Sequence, residues 1–335
     1  MSTSSGKPPI RMAQFGTKHA HARGVLSVML ADDEVEVTGV FEPDPERRIQ
    51  LEMAGEKPWS EVNWYGDPSE FLDDPTITAV ASEGSNAESL DHTDAIIDAG
   101  KHAFYDKPAG DDFGRFESIV ARAKEKSLLV QMGYMFRYHD GFERILSWAN
   151  SGVLGHVFSV RAHISTSIPN EYRAALAEFK GGVFYDLAGH VIDLVVYILG
   201  RPERVTSFMQ NADKSGPPIP DNTLSVFEYD AALGFIDIAA MEAPPMARRF
   251  EVYGTEGSAI MEPYEPADTL RLCLREPKAG FPAGVSILKL EARPRYVKSL
   301  EAFVSDIRGE KQPDRSLDHE LLVQETLLRA TGRIE

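Results

Sequence analysis

From Ile10 to about Met132, short apolar runs alternate with longer amphipathic stretches, a pattern that predicts repeated strand–helix units around a parallel sheet. The runs Arg11 to Phe15, Glu36 to Phe41, Thr78 to Ala81, His102 to Tyr105 and Leu128 to Gln131 are expected as strands. Ala20 to Leu30, Pro45 to Met53, Glu88 to Ala99 and Phe113 to Lys126 are expected as the helices between them. In the last of these, Phe116, Ile119, Val120 and Ala123 recur at helical spacing, a stripe suited to core packing rather than to ligand contact. After Met132 the period changes. Gly141 to Gly152 and Phe184 to Leu199 read as helices, and Val157 to His163, Arg204 to Met209, Thr223 to Glu228, Leu233 to Ala239 and Arg249 to Tyr253 as short strands. Turn-rich connections such as Lys214-Ser215-Gly216-Pro217-Pro218 and Gly254-Thr255-Glu256-Gly257 make that second sheet largely antiparallel. Two helical stretches, Tyr296 to Ile307 and Leu317 to Thr331, close the chain.

The expected fold class is therefore α/β plus α+β. A Rossmann-like, doubly wound parallel sheet takes residues 1–132, and an α+β domain with an open, largely antiparallel sheet takes 133–335, with the boundary between 130 and 150. A length of 335 residues suits two such domains. The net charge of -17, from 52 acidic against 35 basic residues, argues against a phosphate-neutralising surface and so against nucleic acid as a partner. The start, MSTSSGKPPIR, lacks the apolar stretch of a signal peptide, and the most apolar segment, Val191 to Leu199, is short and carries Asp193. No membrane partner is expected. Cys273 is the only cysteine, which rules out an internal disulfide or a cysteine zinc cluster and fits a cytoplasmic location.

Candidate chemistry gathers at the predicted strand ends. Lys107, between Asp106 and Pro108, should project from the carboxyl end of the fourth strand, the edge where ligands sit in open α/β sheets. A surface lysine in a strand-to-helix turn is the plainer alternative. The first turn, Gly16-Thr17-Lys18-His19-Ala20-His21, stands where a dinucleotide's phosphates meet a helix amino terminus, but only Gly16 of the three fingerprint glycines is present. Lys18 holds the second position and His21 the third, so Lys18 or the histidines would supply compensating donors. A metal at His19 and His21 is not expected, because two ligands without a third nearby in sequence fall short of a site. Glu42, at the end of the second strand, stands about where an acid binds the ribose, or else belongs to an ordinary acidic turn. In the second half, Asp186, His190 and Asp193 recur at spacings of four and three and share a face if Phe184 to Leu199 is one helix. A histidine one turn after a carboxylate suits acid/base work, and equally a hydrogen-bonded structural role.

Together these pieces resemble the Gfo/Idh/MocA family of nicotinamide-dependent oxidoreductases over nearly the whole chain. The motifs that carry the resemblance run in order: the Rossmann unit, Ser85-Asn86 and His92 before AGKHAFYDKP, then GYMFRYHDGF, SGVLGHVFSV, GGVFYDLAGHVID and RRFEVYGTEGSAIM. GYMFRYHDGF is most similar to the inositol-dehydrogenase branch. By position, the resemblance implies Lys107, Asp186 and His190 as catalytic residues, with Asp106 in place of the more usual glutamate before the lysine. It places Gly16, Thr17, Lys18, His19, Glu42, Ser85, Asn86, His92, Asp106 and Lys107 at the cofactor, and Arg137 and Tyr138 at the substrate or at the domain seam. It implies NAD as cofactor, with NADP possible, and a secondary hydroxyl of a sugar, cyclitol or related polyol as substrate. His190 would be the general base, Lys107 would stabilise the alkoxide, and Asp186 would orient both hydroxyl and imidazole. A homodimer or homotetramer through the second sheet is also implied. Two alternatives remain open: a redox-neutral epimerase or glycoside-cleaving enzyme that retains its NAD, and a non-catalytic dinucleotide or sugar sensor.

Overall fold

A computed structural model describes residues 7–335. Residues 1–6, part of the segment expected to lack a signal peptide, lie outside the described residues. The chain forms two compact units, one running to Gly133 and including Pro294–Leu321, the other made of Tyr134–Arg293 and Leu322–Glu335.

The first unit holds a five-stranded sheet of β1 (Ile10–Phe15), β2 (Val35–Phe41), β3 (Ala79–Ser82), β4 (His102–Tyr105) and β5 (Val130–Met132), in the order β2-β1-β3-β4-β5. Every neighbouring pair is parallel. The helices are α1 (Ala22–Ala31), α2 (Pro45–Ala54), the single turn α3 (Ser69–Leu72), α4 (Ser89–Asp98) and α5 (Phe113–Glu125). Their ends follow from local chemistry. Asp44 caps α2 by accepting from the Glu46 and Arg47 amides, Pro45 opens it, and Gly55 closes it in the left-handed conformation at φ +60°. α1 begins two residues later than the pattern predicts, because Ala22 N–H first closes a turn on the His19 carbonyl. β5 likewise starts at Val130, since Leu128 N–H is held by the Ala123 carbonyl at the end of α5.

The second unit contains α6 (Asp140–Asn150), β6 (Val157–His163), α7 (Asn170–Ala175), α8 (Val183–Leu187), α9 (Gly189–Leu199), β7 (Arg204–Gln210), β8 (Asn222–Tyr229), β9 (Ala232–Ala239), β10 (Arg249–Gly254), β11 (Gly257–Met261), β12 (Thr269–Leu274) and β13 (Gly284–Lys289). Eight strands pair in the order β13-β12-β11-β10-β6-β9-β8-β7, all antiparallel except β6 with β9. The Gly254–Gly257 turn joins β10 to β11 as expected. A side chain at Gly254 would fall 2.1 Å from the Leu154 carbonyl oxygen, so the strand end can pass there only without one. The helix expected over Phe184 to Leu199 is α8 and α9, joined through Ala188, whose φ of -64° and ψ of -28° remain helical.

After β13 the chain continues into α10 (Val297–Ile307) and α11 (Leu317–Ala330). A single cut near residue 132 would assign all of this stretch to the second unit, yet α10 completes the core of the first. Its Leu300, Phe303 and Val304 bury against Met12, Val25, Met29 and Phe104. Phe303 is fully buried and meets Phe104 edge-on at 5.4 Å between ring centroids. Phe303→Ala is expected to cost about 3–5 kcal/mol, whereas exposed Met53→Ala should stay within about 0.5 kcal/mol. Chemical denaturation followed by near-ultraviolet circular dichroism reads the difference.

Candidate functional site

In the first unit the turn after β1 is held from three sides. Gly16 adopts φ +87° and donates its N–H to the Phe41 carbonyl at 2.7 Å, while a Cβ there would lie 2.7 Å from the Gly84 nitrogen. Only glycine allows that approach. Thr17 donates its hydroxyl to Glu42 Oε2 at 2.6 Å, and Arg47 reaches back from α2 to donate to Thr17 Oγ1 and to its carbonyl, each at 2.7 Å. Glu42, buried at the end of β2, accepts from the Asp44 N–H at 2.9 Å and lies 4.0 Å from the Arg47 guanidinium. Arg48 turns elsewhere, to Glu52 and the Tyr65 carbonyl.

Lys18 crosses to the turn after β3, donating to Glu88 at 2.7 Å, with Asp44 at 3.6 Å. The hydrogen bond to Glu88 holds its ammonium above its ordinary pKa, ahead of the opposing effect of burial. Glu88 also accepts from Ser85 N–H and hydroxyl, at 3.0 and 2.8 Å, and the Asn86 carbonyl accepts from Ser89. The Ser85-x-x-Glu88 spacing is a capping-box pattern through which Glu88 could have been found in sequence. His92 stacks on Phe15 at 3.8 Å, and burial pushes its imidazole down to about 4, so it is neutral near pH 7. Those contacts place the His92 ring in the packing between β1 and α4.

Beyond this turn, His19 and His21 converge on Asp106 at the end of β4. Nδ1 of His19 lies 3.1 Å from Asp106 Oδ2, and Nδ1 of His21 lies 2.9 Å from the same oxygen. Glu83, fully buried at the end of β3, faces Asp106 and sits 3.8 Å from His19 Nδ1. Burial, followed by the charge of Asp106, pushes Glu83 well above the usual carboxylate range. Burial would raise Asp106 too, but His19 and His21 outweigh it and hold Asp106 well below that range. Tyr296 packs its ring against His21 at 5.4 Å. Lys107 is buried beside this cluster, its own N–H bonded to Asp106 Oδ1 at 2.7 Å. Lys57, in the chain's literal Glu-Lys-Pro string, is exposed and pairs with Glu61. Glu83 and Tyr296 carry no local sequence signal, because only the sheet register and the return of the chain before α10 bring them here.

In the second unit Asp186 on α8 and His190 on α9 are both buried. Tyr172, from α7, donates its hydroxyl to Asp186 Oδ2 at 3.1 Å. The His190 ring lies edge-on to Phe136 and Tyr134, at 5.5 and 6.3 Å. Tyr134 also limits the helix start, since a Cβ at Gly189 would fall 2.9 Å from its ring. Asp193, fully buried, accepts two bonds from the Arg137 guanidinium at 3.0 and 2.7 Å, and that guanidinium lies over the Tyr134 ring. Arg137 is thus tied into the wall behind His190, while Tyr138 beside it is half-buried. Among the described residues no helix is long and apolar enough to cross a membrane.

Two family models match the chain: the NAD-binding Rossmann fold of an oxidoreductase family, GFO_IDH_MocA, over residues 10–134, and the GFO/IDH/MocA C-terminal domain over residues 142–260. Myo-inositol 2-dehydrogenase of Thermotoga maritima is 23% identical over 317 residues, covering 91% of this chain and 88% of that protein. The NAD(+)-dependent scyllo-inositol 2-dehydrogenase of Bacillus subtilis strain 168 is 28% identical over 212 residues, 59% of each. Among solved structures, GenD2 from gentamicin A biosynthesis, in complex with NAD, superposes with a TM-score of 0.79 at 22% identity, covering 99% of this chain and 97% of that one.

Proposed function

This chain belongs to the GFO/IDH/MocA oxidoreductase family, with an NAD-binding Rossmann domain, and from that premise we propose that it moves a hydride between NAD(H) and a secondary hydroxyl or ketone of a cyclitol, sugar or related polyol. The observation that carries the reading is the burial of Lys107 inside the Rossmann match and of Asp186 and His190 inside the C-terminal match. The inositol dehydrogenases among the relatives support the substrate class.

The residues at the first turn suit a dinucleotide with a modified phosphate loop. Gly16 keeps the tight turn, and Glu42 keeps a buried carboxylate where a ribose would lie, while Lys18 and His21 replace two glycines. Gly16, Thr17, Lys18, Glu42, Ser85 and Asn86 would hold the cofactor, which supplies the hydride acceptor when bound. The hydroxyl proton of the substrate goes to His190, the group whose ordinary pKa lies nearest neutrality. The Lys107 ammonium stabilises negative charge as it develops on the same oxygen. Asp186 orients the hydroxyl, and Tyr172 restrains the carboxylate by donating to one of its oxygens.

Glu42 should reject a 2′-phosphate, yet Arg47 stands 4.0 Å from it. Wild-type kcat/KM is expected to favour NAD over NADP by about tenfold or more, equivalent to about 1.4 kcal/mol. Glu42→Ala should narrow the ratio by freeing Arg47 for phosphate. Comparable efficiency of the wild type with both cofactors would defeat the assignment.

The reaction itself is tested by following absorbance of the reduced cofactor across a panel of cyclitols, sugars and sugar acids. Turnover with stoichiometric NADH formation on a polyol supports the proposal. Turnover of a sugar without net NADH would replace it with a redox-neutral reaction, and dinucleotide binding without turnover of any panel member would favour a sensor.

We also propose self-association through the second sheet. Phe208 and Leu224, paired across β7 and β8, are 60% and 40% exposed, and Val285 and Ile287 on β13 are 55% and 62% exposed, an apolar load suited to burial against a second copy.

A further inference from the structure

We propose that His19, His21 and Asp106, with Glu83 behind them, form a binding site for one divalent transition-metal ion. The site lies wholly in the first unit and does not depend on the hydride-transfer reading. In sequence the two histidines lack a third ligand nearby; the fold supplies it from 85 residues beyond His21.

The donor set is one that first-row metals favour, two imidazole nitrogens and a carboxylate, with a second carboxylate adjacent. One ligand atom from each of His19, His21 and Asp106 lies within 4.8 Å of the others. Donors around a tetrahedral ion with bonds of about 2.0–2.1 Å stand about 3.3 Å apart. The observed Nδ1-to-oxygen separations of 3.1 and 2.9 Å need open by only a few tenths of an ångström.

The hydrogen bonding at His19 points the same way. The His21 main-chain N–H is directed at His19 Nδ1 at 3.2 Å, which makes that nitrogen an acceptor. The same nitrogen stands 3.1 Å from Asp106 Oδ2, so a cation shared with the carboxylate would take the His21 N–H's place at its single lone pair. Glu83 adds a second unmet demand. It is fully buried, and among the described residues no donor bonds either of its oxygens. The competing account is a metal-free imidazole–carboxylate network in which a ring N–H of His19 donates to Asp106.

The full-length chain, freed of metal by a chelator and exchanged into chelator-free buffer, is titrated with Co2+ while its visible absorption is followed, and with Zn2+ by calorimetry. No nicotinamide cofactor or substrate is added, so the outcome is separate from that of the dehydrogenase assay. Wild type is expected to bind one equivalent of each ion and to unfold at higher temperature with Zn2+ present. His19→Ala and His21→Ala should each weaken binding by at least about tenfold. Measuring both keeps the test decisive if one fails to fold. His163→Ala serves as a control, because His163 also sits between two carboxylates, Asp237 and Glu242, away from the proposed site. Its removal should leave the one-equivalent binding intact. No saturable binding, binding unchanged in both His19 and His21 variants, or binding lost only in His163→Ala would overturn the proposal.

Discussion

Lys107→Ala is expected to remove most turnover, by about 100-fold or more, while Lys57→Ala leaves it nearly unchanged. The scale is that of losing a preorganised donor to a developing oxyanion. Both lysines precede a proline, and Lys57 stands in the literal Glu-Lys-Pro string. Their environments differ in the way that matters. Lys57 is 78% exposed and paired with Glu61 in water, where an ammonium contributes little. Lys107 is buried at the carboxyl end of β4, where a positive charge acts with less screening. The two variants should be compared at saturating cofactor with one substrate, and dinucleotide binding by Lys107→Ala measured separately. Sensitivity at Lys57 with none at Lys107 would remove the present assignment of the reacting edge.

His190→Ala should lower the chemical step by about 100-fold or more, the usual contribution of a positioned acid or base. The histidine belongs to the second unit, so dinucleotide binding by the first should survive. A packing role is the rival, since Phe136 and Tyr134 enclose the ring. His190→Gln separates the two, because it fills much of the same space and can hydrogen bond but cannot serve as a base near neutrality. If the glutamine variant keeps full kcat, or if both variants lose thermal stability in proportion to activity, His190 is structural. A primary isotope effect that grows in His190→Gln would mark a slowed chemical step.

Much of the scaffold was legible before folding. Alternation of apolar and polar positions placed β4 and β6 at their observed bounds and the remaining named strands within two residues, because burial on a sheet leaves a local period. The strands β11, β12 and β13 escaped that reading. β11 begins inside the Gly254–Gly257 turn, and β13 is a half-exposed edge strand, so neither shows a strong contrast between faces. Candidate residues at strand ends, such as Glu42 and Lys107, were legible for a related reason: position along a parallel strand follows from sequence alone.

The sequence by itself determined the fold class, the two kinds of sheet, the family, and a short set of candidate residues. Tertiary structure decided what those residues touch. Asp193, which shared a predicted face with Asp186 and His190, is held by Arg137 instead, and Lys18, expected as a compensating phosphate donor, donates to Glu88. The segment 294–321 was assignable only once α10 was seen to bury Phe303 among Met29 and Phe104. The physical reason is common to all three. Periodicity reports that a face is buried or that a charge lies at a strand end, but burial partners and ion pairs are chosen by packing between segments far apart in the chain, as when Asp106 meets His21 and Glu83.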